Sequence, residues 1–279
     1  MKRPGSKDPG FSCPNLSNLR NMSSISTRLD QGVCTITLNR PEVYNSFNQD
    51  MGRAFQSALD EASRDESVRC VVIVGEGRAF CAGQDLKEVT SEASPGFKVI
   101  VEETYNRSIR RICDMDKPVI AAVNGVAAGA GANIALACDF VVAKSSAKFI
   151  QAFANIGLIP DSGGTYWLPR LVGMARAKAL TMLATPLGAT EAADMGLIHH
   201  AVPDDEWDTA VDALAKKLAS MPTKGLGLTK RALHASQDNT LHEQLALELD
   251  LQFEAAETED YAEGVQAFLD KRPAQFTGR

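Results

Sequence analysis

Two short segments of this chain carry residue types suited to holding negative charge on an oxygen atom. They are Phe80-Cys81-Ala82-Gly83-Gln84-Asp85-Leu86 and Asn124-Gly125-Val126-Ala127-Ala128-Gly129-Ala130-Gly131. Each follows an apolar, largely β-branched run, Val71 to Val74 and Val119 to Val123, and each places small residues where the chain turns sharply and can approach a ligand closely. A strand that ends in such a loop exposes main-chain N–H groups. Two of these groups aimed at one point form an oxyanion hole, which stabilises charge on a carbonyl oxygen as a neighbouring proton leaves. One such loop alone reads equally well as a glycine turn; two in this order do not.

Moving that proton requires an acid or base. Asp161 lies in Leu158-Ile159-Pro160-Asp161-Ser162-Gly163-Gly164-Thr165, just ahead of Tyr166-Trp167-Leu168, which reads as helix. By residue type alone, an aspartate at a helix start is first of all an N-cap, with a general base as the alternative. Cys81 borders the first loop, but no histidine lies near it in sequence to activate it, and packing is the plainer reading. Gly129-Ala130-Gly131 also invites a dinucleotide-binding reading. That fingerprint needs a third small residue where Ile134 stands and an acid where Ile150, Gln151 and Ala152 stand, so it is excluded.

The elements that would position these groups follow from periodicity. Val33 to Leu38 alternates like a strand, and Met51, Phe55, Leu59 and Ala62 recur at helical spacing after Asn48, a potential N-cap. Strand then helix recurs: Cys70 to Val74, then Val101, Tyr105, Ile109 and Ile112 on one helical face; Val119 to Val123, then a helix opening near Gly129. Asp139 to Ala143 gives another strand. This alternation predicts an α/β core. After Pro203 the pattern is helix upon helix: Val211, Leu214 and Leu218 share a face, Thr240-Leu241-His242-Glu243 reads as a capping box, and Leu241, Leu245, Leu249 and Phe253 form a stripe expected to pack.

A chain of 279 residues, 44% apolar and 23% charged, can bury a large core. Its net charge of −6, with basic residues no denser than pairs such as Lys216-Lys217, leaves no electrostatic footprint for nucleic acid. No apolar run reaches the roughly 18 residues needed to span a membrane. Cys13, Cys34, Cys70, Cys81, Cys113 and Cys138 show no regular spacing and suggest free thiols in a reducing compartment, the cytoplasm, with no metal site. Residues 1–24, rich in Pro, Gly, Ser and Asn, read as a disordered extension.

The two loops, with Asn39-Arg40-Pro41, the Asp161 segment, and Phe268-Leu269-Asp270-Lys271-Arg272 to Phe276-Thr277-Gly278, make the chain resemble the crotonase, or enoyl-CoA hydratase/isomerase, family from about Ser26 to its end. The resemblance implies an α/β, crotonase-like spiral of ββα repeats over residues 25–203. It also implies a helical region over 204–279 that covers the acyl pocket and assembles a homotrimer or a dimer of trimers. It implies an acyl-CoA thioester as substrate, with coenzyme A part of that substrate and no separate cofactor. By motif position, Gln84 and Ala130 supply the oxyanion N–H groups. Ala82, Gly83, Asp85 and Gly129 shape the thioester site, and Arg40 and Lys271 are phosphate partners. Where family hydratases carry two glutamates, this chain has Asn133 and Phe153, so both are expected to line the site without moving protons. Asp161 then becomes the acid and base, its pKa raised by apolar walls from Phe153 and Ile156. Isomerisation is expected ahead of hydration. The alternatives are a generic fatty enoyl-CoA hydratase or isomerase, a non-catalytic acyl-CoA binder, and a hydrolytic dehalogenase. The last would need a tryptophan at Phe153 and a histidine at Asn106.

Overall fold

A computed structural model describes residues 20–22 and 24–279 of the chain. Its strands are β1 (Arg20–Met22), β2 (Ile25–Asp30), β3 (Val33–Leu38), β4 (Cys70–Gly75), β5 (Ala79–Cys81), β6 (Val119–Val123), β7 (Val126–Ala128), β8 (Phe140–Lys144), β9 (Lys148–Ile150), β10 (Leu187–Gly188) and β11 (His200–Val202). They form two sheets. The larger runs β1-β2-β3-β4-β6-β8-β11 and the smaller β10-β9-β7-β5. Consecutive strand pairs β4–β5, β6–β7 and β8–β9 each send their first strand to the large sheet and their second to the small one, and within each sheet these three strands run parallel to one another. Each turn of chain thus repeats strand, strand and helix, the α/β spiral expected from the resemblance.

One expectation needs correction. Neither loop follows its long apolar strand directly, because a second three-residue strand, β5 or β7, intervenes. Strands this short carry too few residues for a period to show, and small side chains such as Ala127 and Ala128 lack β-propensity. The expected 1–24 extension falls mostly outside the described residues; within it, Arg20–Met22 adds an edge strand antiparallel to β2.

Burial explains the large sheet. In β4, Val71 and Ile73 face a core that includes Phe55 and Leu59, while Cys70 and Val72 face a second cluster with Trp207, Ala215 and Leu218. Covered on both faces, the strand reads as a continuous apolar run. The first face is closed by α1 (Gln49–Arg64), whose N-cap Asn48 accepts from the Met51 N–H. Burying Phe55 or Leu59 fully contributes about 2 kcal/mol each. Helix α2 (Arg107–Asp114) packs against α1 and is preceded by a wider π-helical stretch over Ile100–Asn106. Helices α3 (Ala130–Leu136) and α4 (Gly164–Leu183) follow the β7 and β9 turns of the spiral.

Beyond β11 the chain is helical: α5 (Trp207–Ala219), α6 (Thr223–Ala235), α7 (Leu241–Ala256) and α8 (Glu259–Asp270). The capping box of Thr240 and Glu243 is present. The stripe it introduces is not packed within the chain: Leu241, Leu245, Leu249 and Phe253 are 71%, 53%, 59% and 66% exposed. The periodicity correctly marked a helical face, and nothing among the described residues covers it.

Candidate active site

The fold brings the two loops into contact. Gly83 has φ +90°, and a Cβ placed on it would lie 3.0 Å from the Ala128 carbonyl oxygen and 3.4 Å from the Ala130 nitrogen. Any side chain there would intrude between the loops and strain the backbone. On one side, Phe47 bridges Gln84: the Phe47 N–H donates to the Gly83 carbonyl (2.7 Å) and the Asp85 N–H to the Phe47 carbonyl (2.8 Å). Successive amides of extended chain face opposite edges, so the Gln84 N–H points away from Phe47. On the other side, Ala130 is the first residue of α3, where an N–H has no intrahelical acceptor and the helix dipole favours an anion. Gly131 lets α3 lie directly on β5, since a Cβ there would sit 2.3 Å from the Cys81 carbonyl oxygen.

Polar side chains hold the first loop. Arg40 forms an ion pair with Asp85 at 2.9 Å and donates to the Ser46 carbonyl at 2.6 Å, with both charged side chains mostly buried. Arg40 therefore anchors the loop. Asp85 also accepts from the Lys87 N–H, capping the short helix Leu86–Val89. Ala82 donates its N–H to the Tyr44 carbonyl. The Gln84 side chain is held at both ends: its Oε1 accepts from the Tyr105 hydroxyl (2.9 Å) and its Nε2 donates to Glu88 Oε2 (2.8 Å).

Asp161 is tied to the same region. Asn133, fully buried on α3, donates from Nδ2 to the Asp161 main-chain oxygen (2.8 Å) and accepts from Gln151 Nε2 (2.8 Å). The Phe153 ring lies 3.8 Å from where a Gly129 Cβ would stand. The cap of α4 is Gly163, not Asp161, and the aspartate carboxylate makes no capping bond; it accepts from the Ser162 hydroxyl at 2.8 Å. Burial pushes the Asp161 carboxyl above the ordinary carboxylate range and outweighs the lowering effect of that hydroxyl. Two free main-chain donors and a carboxyl tuned toward protonation can together enolise a thioester.

Ile156 is 57% exposed, whereas Phe153 is buried. Lys271 is exposed at the left-handed C-cap of α8, and no hydrogen bond or ion pair among the described residues ties it to the oxyanion loops. Cys81 is fully buried and its thiol is pushed up to about 12, which leaves no thiolate to attack with. Tyr105 and Ser162 were not recognisable as site residues from sequence. Tyr105 lies on an apolar helical stripe that reads as core, and Ser162 is one of many serines beside a turn. Only the partner each hydroxyl meets distinguishes them.

The fold and this site define an acyl-thioester enzyme of the crotonase type. A family profile described as enoyl-CoA hydratase/isomerase matches residues 28–279, and the chain belongs to that family. It is 48% identical over 261 residues to the 1,2-epoxyphenylacetyl-CoA isomerase of Escherichia coli K12, covering 92% of this chain and 100% of that protein. It is 49% identical over 256 residues to a probable enoyl-CoA hydratase of Rhodobacter capsulatus, covering 92% of this chain and 98% of that protein. Among solved structures, a putative enoyl-CoA hydratase from Streptomyces coelicolor superposes with a TM-score of 0.86 at 35% identity, covering 98% of this chain and 100% of that one.

Proposed function

We propose that this protein isomerises an acyl-CoA thioester through an enolate, with the Gln84 and Ala130 N–H groups on the thioester oxygen and Asp161 moving the proton. The observation that carries the reading is the state of the two positions where family hydratases hold glutamates. Asn133 is locked between Gln151 and the Asp161 main chain, and Phe153 covers Gly129. Neither can activate water, whereas Asp161, whose main chain Asn133 holds, carries a buried carboxyl that can take a proton from one carbon and return it to another. The exposed apolar side chains of Ile156, Leu158 and Ile159 just ahead of Asp161, and of Leu86 just after Gln84, suit an apolar acyl group at this site.

The substrate class favoured is a 1,2-epoxyphenylacetyl-CoA-like thioester or an unsaturated acyl-CoA whose double bond shifts, supported by the likeness to the E. coli isomerase. The name of the R. capsulatus relative favours hydration as the second reading. Incubation with crotonyl-CoA, 3-enoyl-CoA and 1,2-epoxyphenylacetyl-CoA, followed by product mass and NMR, separates the two. Isomerised products with little or no hydration of crotonyl-CoA are expected. Hydration of crotonyl-CoA on the order of 10³ per second would overturn the isomerase reading.

The same reading takes the exposed α7 stripe as a contact between copies in a trimer or dimer of trimers, checked by light scattering. The unpaired state of the described cysteines fits a cytoplasmic enzyme. No helix among the described residues is long and apolar enough to cross a membrane.

A further inference from the structure

We propose that Tyr105, Gln84 and Glu88 form a one-directional hydrogen-bond clamp that aims the oxyanion N–H of Gln84, making Tyr105 a positioning residue for enolisation. The inference rests on the proposed oxyanion role of Gln84.

The direction of the clamp follows from chemistry. A carboxylate oxygen accepts, so the Gln84 amide presents its Nε2 to Glu88, and the 2.8 Å contact fits. That choice leaves Oε1 facing Tyr105, which must then donate, as the 2.9 Å contact shows. Glu88 is fixed in turn, because its other oxygen accepts the Gln49 N–H at the start of α1 (2.9 Å). The chain Tyr105 to Gln84 to Glu88 therefore runs from the π-helical stretch to the first turn of α1. Every link has one orientation only.

Tyr105 is built for this task. It is 1% exposed, its ring packs against Phe47 with centroids 6.0 Å apart, and Phe47 is the residue whose main chain brackets Gln84. The hydroxyl is thus carried on a buried, immobile ring, and it meets one acceptor. The neighbouring loop residues Gly83 and Asp85 are gripped through their main chains by Phe47. The peptide between them, with the Gln84 N–H, is steadied by its own side chain. A donor that rocks away from the thioester oxygen loses much of its effect, since such stabilisation depends on alignment set before the reaction.

The test uses the whole protein with butyryl-CoA labelled with ¹³C at the thioester carbonyl, a saturated ligand that can be enolised but not isomerised. Two readings are taken: the infrared carbonyl stretch of the bound thioester, and the rate of C2 proton exchange with D₂O by NMR. Wild type should show a red-shifted stretch and measurable exchange. Tyr105→Phe should return the stretch part of the way to its value in free solution and slow exchange about ten-fold, with butyryl-CoA Kd within two-fold. Gln84→Met, which keeps the main-chain N–H and much of the side-chain volume, should do the same, and the double variant should be no worse than either single one. If Tyr105→Phe fails to fold, Gln84→Met alone decides. A folded variant with the wild-type stretch and exchange rate would overturn the clamp. Absence of any red shift in the wild type would instead overturn the oxyanion role of Gln84.

Discussion

The Gln84 loop and the Ala130 loop offer the same kind of group, a main-chain N–H, and are held in opposite ways. Every residue of α3 is buried, and Gly131 lies against Cys81 with no room for a side chain, so that N–H is fixed by contact among small residues. The Gln84 loop is half-buried and held by polar side chains drawn from distant parts of the chain, Arg40 on Asp85 and Tyr105 on Gln84. Packing of small residues is stiff and hard to alter in steps. A polar network can be taken apart one atom at a time.

The largest expected effect touches neither loop and so calibrates both. Asp161→Asn should lower kcat by about 10²–10⁴ with acyl-CoA Kd little changed, because Asn keeps the shape but cannot accept a proton. Burial raises the folded-state pKa of Asp161, so the ionised group opposes folding at neutral pH. Its favourable contribution exists at low pH and is lost as pH rises through that raised pKa. Asn should therefore leave the neutral-pH Tm equal or slightly higher. Wild-type turnover in the folded variant would remove Asp161 from the reaction and leave it a structural residue.

Next comes Ala130→Pro, which deletes one donor where proline is tolerated, at the first position of a helix. Enolisation should fall by about 10²–10³ with Tm largely kept, as measured by C2 proton exchange and thermal melting. Near-normal exchange would remove Ala130 from the hole and leave the comparison without its second member.

A pair of variants then sharpens the contrast in how the loops are held. Gly131→Ala drives a methyl into the Cys81 main chain and should cost about 3 kcal/mol of stability in denaturant unfolding. Arg40→Met removes one partner of a mostly buried ion pair and should cost about 2 kcal/mol. If the two losses came in reverse order, contact would not be the stiffer restraint.

The smallest effect is a shift in pH dependence. The acid limb of kcat/KM should lie above the ordinary aspartate range, because activity requires ionised Asp161 and is lost as pH falls through its raised pKa. Ser162→Ala removes the one hydroxyl that lowers that pKa, so the limb should move to higher pH with the plateau rate nearly kept. A limb that stays in place would show that the hydroxyl does not act on the carboxylate.

Much of this protein was determined by its sequence alone. Local rules were enough for α1 after Asn48, the capping box at Thr240, the buried run of β4 and the order of the two glycine loops, since each depends on residues a few positions apart. Tertiary structure decided what distant residues do to each other. It made Arg40 an anchor for Asp85, turned Asn133 into a tie on the Asp161 main chain, and left α7 with an uncovered apolar face. It also put Gly163 in place of Asp161 at the cap of α4 and buried the Asp161 carboxyl, because both depend on packed surroundings that no spacing along the chain encodes.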